Sequence, residues 1–125
     1  MELPEAKALA GSQSTEGNPK GGSTMSRHQR QGHETLCRDL LSHAGNRLEQ
    51  LRSIVERTEM GDRLEHERAL DHARGLHNRV LARTEAARQA SDDAWPLARA
   101  QADQAVNDML QAIDELERQL LRAAA

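Results

Sequence analysis

The chain has 125 residues, 37% of them apolar and 30% charged, with no Phe, no Tyr, one Trp and a formal net charge of −3. That composition excludes a sandwich or barrel core, which draws on aromatic and β-branched side chains. It leaves a thin core of Leu, Val, Ile, Met and Ala, suited to packed helices. The small net charge gives no global case for a nucleic acid or an anionic membrane as partner.

Residues 1–33 read as a disordered tail. Gly11, Gly17, Gly21, Gly22, Gly32, Pro4 and Pro19 fall there among Ser, Thr, Gln and Asn. Such a segment buries too little apolar surface to offset its ordering entropy. A short helical turn near Glu5 to Ala10 is its one local signal. Met1-Glu2-Leu3-Pro4-Glu5 lacks the basic and apolar regions of a secretory signal.

From Glu34 the pattern changes, and residues 34–125 read as the helical domain. Cys37, Leu41, Ala44, Leu48, Leu51, Val55 and Thr58 alternate four-three spacings, a heptad stripe on one helix face. Leu36, Leu40 and Ile54 widen it, which predicts contact with more than one neighbouring helix. Gly61-Asp62 then interrupts. Read as a break, Gly61 ends one helix and Asp62 with Glu65 caps the next. Read as continuity, one Gly inside a helix costs about 1 kcal/mol, and Glu59 and Arg63 pair across it. A one-residue break is shorter than most helix connections, so the balance favours one long, kinked helix over 34–90.

Within 62–90 the expected buried positions are Leu64, Leu70, Ala73, Leu76, Val80, Leu81, Thr84 and Ala87. Ser91-Asp92-Asp93-Ala94-Trp95-Pro96 is the clearest punctuation in the chain. Asp92 or Asp93 is placed to cap a new helix, with Pro96 in its first turn. Helix 93–123 follows, with Ala102, Val106, Met109, Ile113, Leu116, Leu120 and Ala123 as its stripe. At 1.5 Å per residue it spans about 46 Å, against about 43 Å for 62–90, which matches two arms of an antiparallel hairpin.

The fold expected is therefore all-α and coiled-coil-like, with helix 34–90 and antiparallel helix 93–123. The alternative is a three-helix bundle with a turn at Gly61. In the hairpin form the stripe from Cys37 to Thr58 lies open, a patch that monomers avoid. It then needs a second chain, and a homodimer is the simplest closed form.

No motif carries chemistry. The six histidines never share a face at i,i+4, and no Glu stands three residues before any of them, so no metal and no cofactor is expected. Cys37 sits on the stripe and reads as a small buried hydrophobe rather than a nucleophile. No catalytic residue is assigned and the chain is not expected to be an enzyme. Arg side chains from 38 to 88 alternate with acids, which reads as a solvated helix surface rather than a phosphate track.

The function expected is a non-enzymatic interaction and assembly protein, an adaptor or scaffold. It acts by self-association or on a helical protein partner, with nucleic acid disfavoured. Leu41, Leu48, Leu51 and Val55 are the assembly residues, Val106, Met109, Ile113, Leu116 and Leu120 the hairpin core, and Trp95 the plug of the bundle end or a binding anchor. A small export chaperone or secretion-apparatus component and an Arg-dependent nucleic-acid binder are the alternatives. With one cysteine, no signal and no stretch of 18 apolar residues, the expected setting is soluble and cytoplasmic, without a transmembrane segment.

Overall fold

The computed structural model describes residues 19–124, with side chains from Arg27 onward. Three helices follow in order: α1 Pro19–Glu56, α2 Met60–Gln89 and α3 Trp95–Ala124. The chain divides into two compact units, Met1–His33 and Glu34–Ala125. The tail reading of residues 1–18, like the turn near Glu5 to Ala10, lies outside the described residues.

Helix α1 begins at Pro19, inside the stretch that composition assigns to the tail. Proline suits a first helical position, since the N–H it lacks has no partner there anyway. Extending an existing helix costs far less than starting one, so the apolar stripe beyond Glu34 lets polar residues before it follow the same winding.

In the second unit the long helix expected over 34–90 is broken, and the three-helix arrangement is the one formed. The break falls at Arg57–Glu59, before Gly61. The Arg57 and Thr58 amides donate to the carbonyls of Ile54 and Val55 at 3.1 and 3.0 Å. The Thr58 hydroxyl donates to the Ile54 carbonyl at 3.0 Å. These bonds satisfy carbonyls that a helix end otherwise leaves open. Thr58, read as the last stripe position, thus closes the helix instead.

Glu59 is extended, with φ −63° and ψ 150°, and precedes α2 without a side-chain cap. Its carbonyl accepts from the amides of Asp62 and Arg63 at 3.2 and 3.1 Å. Asp62 is therefore not the cap expected of it. It lies in the first turn, where a carboxylate favours the positive end of the helix dipole. Gly61 lies in that same turn and ends nothing. Arg63 pairs forward with Glu67 at 3.0 Å rather than back to Glu59. Three linking residues are enough for a reversal, and the energetic choice is plain. Leu48, Leu51 and Val55 gain about 1.5–3 kcal/mol each by burial, which outweighs the few backbone bonds lost at one break.

The second connection falls where it is expected, between Gln89 and Trp95. The Ser91 carbonyl accepts from the amides of Ala94 and Trp95 at 3.1 and 2.9 Å. Its hydroxyl accepts from Ala94 N–H at 3.2 Å. Ser91 thus makes a capping-type bond to the amide three residues on. Pro96 falls in the first turn of α3.

The helices run up, down and up. His77 Nε2 lies 3.2 Å from the Leu41 carbonyl and Arg74 lies 3.8 Å from Glu49, so α1 and α2 are antiparallel. Arg47 reaches Asp114 and Glu117 of α3 at 2.8 and 2.7 Å. One apolar cluster joins all three: Ala44, Leu48, Leu51 and Val55 meet Leu70, Ala73, Leu76 and Val80 and the α3 stripe from Ala105 to Leu120. The expected α3 positions are buried except Ala123, which is exposed at the end of the helix. In α2, Leu64 and Leu81 are 56% and 48% exposed. Both fall out of phase with the Leu70–Ala73–Val80 face. His66 and Ala105 are buried without having been expected.

Two glycines sit mid-helix without serving a turn. A methyl at Gly75 would meet nothing within 4 Å, and one at Gly45 would lie 3.6 Å from His77 Nε2, an ordinary contact. Alanine at both is expected to stabilise the bundle by about 1–2 kcal/mol, raising the melting temperature by roughly 4–8 °C per kcal/mol. Thermal melts followed by circular dichroism read this directly. An unchanged melt would overturn this expectation.

Candidate interaction surface

The residues expected to mediate assembly lie inside the chain. Leu48, Leu51 and Val55 are buried and Leu41 is half-buried, packed against α2 and α3. Val106, Met109, Ile113, Leu116 and Leu120 form the opposite wall of that same core. The ground for a dimer through the α1 stripe is therefore removed: once the chain turns at Arg57–Glu59, its own helices shelter the stripe. Trp95 is buried at the start of α3, with the Arg99 guanidinium 5.3 Å from its ring centre. That separation lies within reach of a cation–π attraction.

An open face lies along α2 and α3, apart from the hollow between α1 and α2 that Leu41 and Leu81 line. There the two helices form a shallow groove of about 530 Å³. Its floor is Ala69 and Leu76 of α2 with Ala112 and Leu116 of α3, and its rims carry His72 and Arg79 on one side, Asp108 and Glu115 on the other. Small residues keep the floor low, so another helix has room to approach closely. An adjoining hollow of about 340 Å³ is lined by Asp62, Glu65, His66, Gln119 and Arg122. Both ring nitrogens of His66 and Oε1 of Gln119 are buried beside it without a hydrogen-bond partner among the described residues. Spacing places His66 on the buried face, four residues before Leu70. Its polarity is what hid it from a count of apolar residues.

Ion pairs neutralise the surface locally, at the Glu115 rim position as elsewhere. Arg52 bonds Glu49 and Glu56 at 3.0 and 2.7 Å, and Arg118 bonds Glu115 at 2.8 Å. Hydrogen bonds from Arg52, Arg88 and Arg118 hold the carboxyls of Glu49, Glu85 and Glu115 below the usual carboxylate range. Exposed pairs of this kind contribute little stability; they keep the arginines occupied along their own helices. Arg47 differs, since it is half-buried and bridges two helices. Bonds to Glu117 first and Asp114 second favour its charged form.

Cys37 is buried, and burial first, then the charge of Asp103, pushes its thiol pKa up. Both effects disfavour the thiolate that a nucleophile needs. Among the described residues no three His, Cys, Asp or Glu side chains gather as a metal site, and no helix is long and apolar enough to cross a membrane. Comparison with protein families, with curated proteins and with solved structures finds no match.

Proposed function

We propose that this chain is a non-enzymatic helical interaction protein, assembling with itself or with a helical partner by packing a helix against its α2/α3 side. The observation that carries this reading is the groove itself. It has a floor of small and aliphatic side chains, rim charges spaced two helical turns apart, and the length of several turns. An amphipathic helix laid in such a groove buries its apolar face and sets its register by charge. The arginines speak for protein rather than polyanion: Arg52, Arg88 and Arg118 are held by acids on their own helices. A phosphate backbone would have to displace those carboxylates.

The test is a photo-crosslinking residue in place of Ala112, on the groove floor, compared with one in place of Leu36, an exposed site on α1. In cells, position 112 is expected to trap peptides from helical segments and position 36 to trap no more than background. Equal yields at the two positions would remove the groove as a binding surface.

A further inference from the structure

Six charged or polar side chains along the α2/α3 groove stand in a regular order. On α2 they are Glu65, His72 and Arg79, and on α3 they are Arg122, Glu115 and Asp108. Each step is seven residues, so each side chain recurs on one helix edge at two-turn spacing. Because α2 and α3 run in opposite directions, Glu65 stands level with Arg122, His72 with Glu115 and Arg79 with Asp108. At every level an acid on one rim faces a base or a hydrogen-bond donor on the other. Within the chain, all three α3 members bond along their own helix instead of across the groove, Glu115 accepting from Arg118 at 2.8 Å. Arg122 reaches Glu115 at 3.4 Å, and Asp108 accepts from Gln104 at 2.9 Å.

We infer that the occupant of the groove is a second copy of this chain, related by a two-fold axis running along the helices. This rests on the helix-packing function proposed above and names its partner. Rotation about an axis parallel to the helices keeps each residue at its own height and lays α2 of one copy over α3 of the other. Glu65 then meets Arg122, His72 meets Glu115 and Arg79 meets Asp108 of the second copy, each twice. Rotation about an axis across the helices at the same level also sets Arg122 by Asp108 and Glu65 by Arg79, each twice, but it lays Glu115 on its own counterpart and His72 on its own, so the middle level repels where the first arrangement pairs His72 with Glu115. The His72 and Glu115 level thus decides between the two closed arrangements, and the low floor at Ala69 and Ala112 lets the helices approach. The product is a four-helix layer with the α1 helices on its outer sides.

Sedimentation equilibrium of the purified full chain tests this. The expected species is a dimer that weakens as salt is added, because its rim charges are screened. Arg79→Glu places two acids together at two points of the dimer, and Asp108→Arg places two bases together. Each is expected to weaken self-association about tenfold or more. In an equimolar mixture of the two variants, the acid introduced at position 79 of one chain meets the base introduced at position 108 of the other. The second contact of that heterodimer is the native one, Arg79 to Asp108. The heterodimer should therefore form about as tightly as the parent dimer. A change acting only inside one chain cannot be rescued by mixing, and circular dichroism melts of each variant confirm that it folds. A parent that stays monomeric at high concentration, or a mixture no tighter than either variant alone, overturns the inference. If position 112 still traps a helix of another protein, the proposed function survives that result; if it traps none, both fall together.

Discussion

Leu48→Asp is expected to unfold the bundle, not merely to strip a partner from its surface. Leu48 is 5% exposed and lies in the cluster that joins α1 to α2 and α3. The change removes an aliphatic side chain from that cluster and puts a carboxylate in its place without a cation to pair it. The adjoining cation on α1 is Arg47, already committed to Glu117 and Asp114. An uncompensated buried charge costs about 3–5 kcal/mol, against a typical total stability of about 5–15 kcal/mol for a domain. With so few large side chains in the core, the total should lie at the low end. Loss of most helical signal at room temperature, or a melting temperature lowered by tens of degrees, is the expected reading. Leu36→Asp is the control: Leu36 is 57% exposed, and the change should move stability by no more than about 0.5 kcal/mol. If Leu48→Asp melted like the parent while losing a partner, α1 would be a free arm and the bundle described above would be wrong.

Met109→Ala should cost about 2–5 kcal/mol without disturbing the arrangement of the helices. Met109 is fully buried and among the largest such side chains, alongside Ile113 and Leu116. A core without Phe or Tyr spreads its burial over aliphatic side chains, so each large one carries a high share. The cavity left by Met109 is enclosed by helices whose packing limits how far they can collapse, which adds to the lost transfer free energy. Chemical denaturation should show a lower midpoint with an unchanged slope, the mark of lost stability rather than altered compactness. A cost below about 1 kcal/mol would show that the neighbouring aliphatic side chains refill the space.

Both predictions depend on the same division between what periodicity carries and what it leaves open. Four-three spacing over Cys37–Val55 and Ala102–Leu120 specifies helices and names most of their buried sides, because a side chain's direction follows from its position along 3.6 residues per turn. Pro96 likewise places the start of α3 within a residue or two. The buried His66 sits at the right phase, yet a rule that counts only apolar residues passes over it.

The destination of each face is a different matter. The α1 stripe demands shelter from water, but the same demand is met equally by α2 and α3 of its own chain or by another molecule. Which one wins depends on whether the chain can reverse direction between Glu56 and Met60. That turn owes nothing to the glycine beside it. It forms because the Thr58 hydroxyl and the amides of Arg57 and Thr58 close the open carbonyls of α1 at little cost, while the burial of Leu48, Leu51 and Val55 against helices distant in sequence stabilises the folded-back chain. Local spacing encodes the direction of a side chain; only the packed tertiary structure decides what it meets, and hence that the α1 stripe is covered while the α2/α3 groove lies open.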